Sequence, residues 1–144
     1  MDAINQASYK YPVEIDAFVL MSNHYHLLLI TPNADIDKFM SILNTSISRE
    51  IRFRTGRINR IFGDRYKWKL INCEKYYQNV IRYVFQNPLK AKISKRCEDY
   101  PYSTLYYQVR SFDLGIKLPK EYIEERFIKF INEKFESRLA PFLL

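Results

Sequence analysis

The 144-residue chain has few of the residues that form disulfides or flexible linkers, with two cysteines, three glycines and six prolines. Cys73 and Cys97 are too few for a disulfide framework and lack the spacing of a zinc site. The shortage of glycine and proline argues against long flexible linkers. No apolar run approaches the roughly 20 residues of a membrane helix, and no signal peptide is recognisable, so we expect a cytoplasmic protein without a membrane partner.

The composition is that of a packed globular protein. Hydrophobic residues make up 47% of the chain and aromatic residues 16%, which excludes a disordered chain and supplies a core without covalent staples. The net charge of +7 favours a negatively charged partner such as a nucleic acid.

The only two histidines stand one residue apart in His24-Tyr25-His26, at the head of an apolar run. In a strand, alternate side chains share a face, so His24 and His26 project together while Tyr25 points away. Two adjacent imidazoles form half of a divalent metal site. The same pattern also fits two histidines that merely cap a strand.

Apolar periodicity predicts a β-hairpin followed by helices. The hairpin combines alternating and apolar runs around the turn residues Ser22-Asn23. A long amphipathic helix follows Asp35 and ends near Gly56. The two strands of the hairpin are predicted at 13–20 and 24–30. The remaining predicted elements are a strand at 66–71, a helix at 74–87 that Pro88 ends or kinks, and a helix at 119–138.

The positive charge is concentrated in residues 49–69, the basic segment, where eight cations and two acidic residues give a net charge of +6. Tyr66 and Trp68 lie among the cations. Cations beside aromatic side chains suit single-stranded DNA, because phosphates attract the former and bases stack on the latter. A solvated surface of a basic protein is the alternative.

Tyr83 and Asn87 are one helical turn apart and share the flank of the apolar stripe in the predicted helix at 74–87. A tyrosine in this position is often a partly buried packing residue.

Four segments in order resemble one family, the single-tyrosine HUH transposases, which include REP-associated tyrosine transposases. His24-Tyr25-His26 with its apolar run resembles the HUH motif, in which two histidines flank a bulky residue. The other matching segments are 63–67, 82–91 and 100–104, with the sequences Gly-Asp-Arg-Tyr-Lys, Arg-Tyr-Val-Phe-Gln-Asn-Pro-Leu-Lys-Ala and Tyr-Pro-Tyr-Ser-Thr.

The resemblance implies a role for each matching residue. Tyr83 corresponds to the nucleophile that forms a 5′-phosphotyrosine intermediate, and His24, His26 and Asn87 correspond to ligands of Mg²⁺ or Mn²⁺. The implied substrate is single-stranded or hairpin DNA. The DNA contacts that we expect are Arg49, Arg52, Arg57, Arg60, Arg65, Lys67 and Trp68.

The resemblance also implies an α+β fold, a ferredoxin-like (RRM-like) palm whose mainly antiparallel sheet has helices on one face. We expect a catalytic domain at 1–110 and a C-terminal helical extension of it at 111–144. The first strand of the palm is expected to be missing, and residues 1–10 to supply at most the end of its helix. Because the missing strand would leave a sheet edge uncovered, and because members of the family form dimers, we expect a homodimer.

These observations favour a metal-dependent transposase that cleaves and rejoins single-stranded DNA. The alternative is a domesticated remnant that binds DNA without cleaving it, which the short N-terminus favours and intact Tyr83 and Asn87 oppose. A histidine-based phosphodiesterase is disfavoured, because the additional histidine that such enzymes use is absent.

Overall fold

The structure is a computed structural model that describes residues 1–134. The described chain forms two compact units, one comprising residues 1–13 and 31–68 and the other residues 14–30 and 69–134. The α-helices and strands are α1 (Asp2–Lys10), β1 (Glu14–Leu20), β2 (Tyr25–Ile30), α2 (Ile36–Thr55), α3 (Glu74–Lys90), α4 (Thr104–Val109) and α5 (Glu125–Asn132).

The second unit is built on the predicted hairpin, which the structure confirms. β1 and β2 pair antiparallel, with Val19 opposite His26 and Leu20 opposite Tyr25, and a bulge lies between Ile15 and Ala17. Tyr25 packs against Phe18 with ring centroids 5.8 Å apart. Strand pairing fixes the direction of the His26 side chain, and the Met21 amide donates to the His24 carbonyl at 2.8 Å.

The free edge of β1 is partly covered by its own chain, contrary to the expectation of an open edge. The Leu20 amide donates to the Tyr102 carbonyl at 2.8 Å, and the Phe18 amide donates to the Thr104 hydroxyl at 3.1 Å. Ser103 also forms a bridge to Val19. Thus the turn before α4 satisfies backbone groups that a missing strand would otherwise leave unpaired.

The core of the second unit lies between the hairpin and α3. Ile81, Val84 and Phe85 of α3 are buried and share the core with Ala17 and Val19 of β1. This is the apolar stripe predicted from the helical period. Burial of each large apolar side chain contributes about 1.5–3 kcal/mol to the free energy that holds α3 against the strands.

The first unit consists of α1, α2 and the chain that follows α2 up to residue 68. The basic segment begins within the last turns of α2. Ile4 and Ala7 of α1 are buried, and α1 packs against α2. The Ser46 hydroxyl donates to Gln6 at 3.1 Å. Residues 2–10 form a nine-residue helix. Gly56 terminates α2 with φ +66°, as predicted.

Three expectations for the remaining elements need correction. Residues 66–71 form no strand, because side-chain contacts hold this segment, including a 2.5 Å hydrogen bond from the Tyr66 hydroxyl to Asp37. α3 continues through Pro88 to Lys90. The helix expected at 119–138 is a 3-10 turn at Lys120–Ile123 followed by α5, and residues 135–138 lie outside the described residues.

Other expectations concern the sheet, the thiols and membranes. Within residues 1–134 the sheet has two strands, so the chain is α+β and its ferredoxin-like arrangement stays a prediction. Both cysteines are free, with Cys73 exposed and Cys97 buried. In the described part of the chain, no helix has the length and apolar character that crossing a membrane requires.

Candidate active site

The hairpin and α3 bring together the four side chains proposed for the site. His24 directly precedes β2, His26 lies within it, and Tyr83 and Asn87 lie one turn apart on α3. The ring centroids of His24 and His26 are 5.0 Å apart. The centroids of His26 and Tyr83 are 5.5 Å apart, and the two rings meet edge to face. The second unit therefore contains the complete cluster.

Asn23 orients the imidazole of His24. The His24 Nδ1 lies 2.7 Å from the Asn23 Oδ1. An Nδ1–H that donates to this amide oxygen leaves Nε2 as the ring nitrogen that can bind a ligand.

His26 is held in the neutral form. Burial, followed by the neighbouring His24, lowers the pKa of His26 to about 4, although a hydrogen bond with Asn87 opposes this effect. Its Nε2 is buried and has no hydrogen-bond partner among the described residues. A buried polar atom without a partner is costly unless something else binds it. A metal ion would satisfy this atom.

Pro88 explains the orientation of the Asn87 amide. Proline has no N–H, so the carbonyl of Val84 loses its usual helical donor. The Asn87 Nδ2 donates to the carbonyl of Tyr83 at 2.7 Å and to that of Val84 at 3.4 Å. With its nitrogen occupied on the helix, Asn87 can use its oxygen to accept the hydrogen bond from His26. The second lone pair of that oxygen can bind a ligand, and α3 can continue to Lys90.

Tyr83 is half-buried, and burial raises the pKa of its phenol. Lys90 places its Nζ 4.8 Å from the centroid of the Tyr83 ring. The sequence interpretation missed Lys90, although its spacing of seven residues from Tyr83 is two helical turns and brings the two side chains to one face.

The donor set of this cluster fits a divalent cation. Two imidazoles and an amide oxygen are suitable ligands and leave positions open for phosphate oxygens. Within residues 1–134 no group of three or more histidine, cysteine or carboxylate side chains could bind a metal. The fit therefore depends on the Asn87 oxygen as the third protein ligand.

Apart from Lys69, the basic segment belongs to the first unit, where all of the predicted DNA contacts are exposed. Trp68 is 65% exposed, and Phe53 and Ile58 are 86% and 90% exposed. Arg54 forms a salt bridge with Glu50 at 2.5 Å. The sequence interpretation did not single out Phe53 and Ile58, although their position among the cations was a readable signal. The predicted contacts in this surface are Arg49, Arg52, Arg57, Arg60, Arg65, Lys67 and Trp68.

Comparisons with known proteins point to one family. The family model described as transposase IS200 like matches residues 1–84. A candidate REP-associated tyrosine transposase of Haemophilus influenzae is 27% identical over 120 residues, which cover 76% of this chain and 68% of that protein. The REP-associated tyrosine transposase of Escherichia coli K12 is 30% identical over 98 residues, with 68% of this chain and 58% of that protein covered.

A solved structure shares the fold. It is a REP-associated tyrosine transposase bound to a REP hairpin, with a TM-score of 0.63 and 23% sequence identity, and the match covers 81% of this chain and 67% of that one. The described fold and the family match agree. Because the family model spans more than half of the 144 residues, the chain belongs to the IS200-like transposase family.

Proposed function

We propose that the chain is a metal-dependent single-strand DNA endonuclease and strand transferase with Tyr83 as its nucleophile. The observation that carries this proposal is the contact between the Tyr83 and His26 rings at 5.5 Å, next to His24 and one helical turn from Asn87. A tyrosine placed beside a pair of imidazoles is suited to attack a phosphate that is bound there.

The proposed reaction exchanges one phosphate ester for another. The Tyr83 oxygen forms a bond to phosphorus and loses its proton to water, while the bond from phosphorus to the 3′ oxygen breaks. The departing 3′ oxygen takes up a proton from water. The products are a 5′-phosphotyrosine and a free 3′-hydroxyl, and the reverse reaction with another 3′ end joins two strands without ATP.

His24, His26 and Asn87 would hold the divalent ion, which we propose to be Mg²⁺ or Mn²⁺. When bound, such an ion polarises the phosphate and orients the ester for attack. The protein contributes ligand orientation: Asn23 fixes the His24 ring at 2.7 Å, and α3 fixes the Asn87 amide.

Single-stranded or hairpin DNA is the proposed substrate. The exposed cations of the basic segment, whose net charge is +6, can neutralise phosphates, and exposed Trp68 offers a surface for stacking. The related protein of known structure is bound to a REP hairpin, which supports hairpin DNA as the substrate class.

A covalent-adduct assay tests this proposal. The protein is incubated with Mn²⁺ and DNA flanking its own gene, and the products are separated under denaturing conditions. Wild type should form a protein–DNA adduct, whereas Tyr83→Phe should form none because the attacking oxygen is gone. Tyr76→Phe removes a hydroxyl from the same helix and serves as the matched control.

The same assay separates the two functions considered for this chain. DNA binding by wild type without adduct formation, in the presence of either metal and with each DNA strand, would contradict the proposal. It would support a DNA-binding remnant of a transposase.

We also propose that the chain forms a homodimer. Among the described residues, β2 pairs only with β1, which leaves its second edge available for another strand. Light scattering should give twice the 17.4 kDa chain mass. A monomeric mass at high protein concentration would contradict this.

A further inference from the structure

Lys90 occupies a special position beside the proposed nucleophile. It is the last residue of α3, and its side chain returns along the helix toward Tyr83, two turns earlier. The Nζ lies over the Tyr83 ring, 4.8 Å from its centroid. An ammonium group here is next to the place that a phosphate must occupy when Tyr83 attacks it.

Within residues 1–134, no carboxylate neutralises the charge of Lys90. Lys38, Arg54, Arg82, Arg96, Arg110 and Arg126 each have a carboxylate within 4.0 Å. In the part of the chain that the structure describes, no carboxylate lies within this distance of Lys90. The residue is also exposed to solvent, so an incoming anion can reach it.

Lys90 is the only lysine or arginine among the side chains named for the candidate site. The others are two imidazoles, an amide and a phenol. Phosphoryl transfer benefits from a fixed positive charge near the phosphate oxygens, because negative charge builds up on them during attack. Lys90 supplies such a charge from a flexible four-carbon side chain.

We propose that the ammonium group of Lys90 binds a nonbridging oxygen of the phosphate that Tyr83 attacks. The inference rests on the proposed function and adds a substrate-binding residue to it. The bond to phosphorus forms at the Tyr83 oxygen, so the nonbridging oxygens arrive beside the ring over which Lys90 lies. The contact with the ring then positions Lys90 before DNA binds.

Substitutions at Lys90 test this proposal. Lys90→Met removes the charge and keeps the aliphatic side chain, Lys90→Gln keeps a polar head without charge, and Lys90→Arg keeps the charge. At saturating DNA, the rate of adduct formation should fall about tenfold or more in the Met and Gln variants. The Arg variant should stay within about threefold of wild type, since a guanidinium also binds phosphate. Lys95→Met, at an exposed lysine nearby, is the control.

A second measurement does not depend on cleavage. In a Tyr83→Phe background, which keeps the ring, binding of a single-stranded oligonucleotide is measured against salt concentration. Loss of one phosphate contact should reduce the slope of log affinity against log salt by about 0.7 in Lys90→Met. Lys95→Met in this background should leave the slope unchanged.

The outcomes distinguish this inference from the function on which it rests. If wild type forms no adduct, the proposed function fails, whereas the salt slope still reports the Lys90 contact. If wild type forms the adduct and Lys90→Met matches it in rate and slope, the Lys90 inference is wrong. A Lys90→Arg variant as slow as Lys90→Met would also overturn it, because a purely structural contact would then explain the loss.

Discussion

The candidate active site and the basic segment are built in opposite ways. In the active site, His26 and Tyr83 are half-buried and fixed by a strand and a helix. In the basic segment, the cations are exposed, and from Gly56 onward they lie on irregular backbone. Catalysis requires the reacting groups to be placed to within a fraction of an ångström, whereas attraction of phosphates requires only a high density of positive charge. Single substitutions should therefore damage the first region, and only combined ones the second.

Apart from loss of the Tyr83 oxygen, the largest effect is expected from loss of the imidazoles. His24→Ala combined with His26→Ala should reduce the rate of adduct formation by more than about 100-fold, because ligand loss removes the metal. Calorimetric titration with Mn²⁺ should show that metal binding is lost, while affinity for single-stranded DNA stays within about twofold. A double variant that still formed adducts at the wild-type rate would remove the distinction between the two regions.

His26 also predicts a pH dependence of stability in the metal-free protein. Its folded-state pKa of about 4 lies below the value of about 6.5 for an unfolded chain. The unfolded state therefore binds more protons between these values, and the stabilisation present above pH 6.5 is lost as pH falls through 4. This contribution is at most about 3 kcal/mol.

Urea unfolding in the presence of a chelator, at pH 7 and at pH 4.5, measures this effect. His26→Gln, which cannot be protonated in this range, should lose less stability on acidification than wild type. Equal losses in the two proteins would show that burial does not keep His26 neutral.

The basic segment should behave as a distributed surface. Replacing Arg52, Arg57 and Arg65 together by Ala should weaken binding of single-stranded DNA and reduce its salt slope by about two. Thermal unfolding should change little, because exposed cations contribute little to stability. The matched control is Arg54→Ala, since Glu50 already neutralises Arg54 at 2.5 Å. Unchanged DNA affinity in the triple variant would exclude this surface from binding.

The smallest effect is expected at Pro88. Pro88→Ala restores an N–H that can donate to the Val84 carbonyl, so the Asn87 amide is less firmly held on the helix. The rate of adduct formation should fall by about threefold to tenfold, with DNA affinity unchanged. A fully active Pro88→Ala variant would show that the other contacts of Asn87 suffice to orient it.

Local periodicity explains which parts of the structure were predictable. The hairpin, α2 and α3 have apolar residues at regular spacing, and their burial confirms the pattern. The end of α2 was predictable because a helix often ends in a left-handed residue, and glycine, here Gly56, adopts that backbone without strain. His24 and His26 were brought to one place by strand alternation, which is likewise a local rule.

The features that were not predicted depend on contacts between distant residues. The run at 66–71 looks like a strand, but Tyr66 bonds to Asp37, 29 positions earlier, and no strand forms. One case is local: Pro88 was expected to end or kink α3, but the helix continues to Lys90, and the nearby Asn87 side chain donates to the Val84 carbonyl. The segment that covers the β1 edge at Leu20 comes from Tyr102, far along the chain.

The central claim is that Tyr83, one of twelve tyrosines, becomes covalently bonded to DNA. The most direct test is to digest the protein–DNA adduct with protease and nuclease and to locate the remaining nucleotide by tandem mass spectrometry. The account predicts a single modified peptide that carries a 5′-phosphate nucleotide on Tyr83. A nucleotide on any other residue, or DNA cut at a specific site with no covalent link to protein, would contradict it.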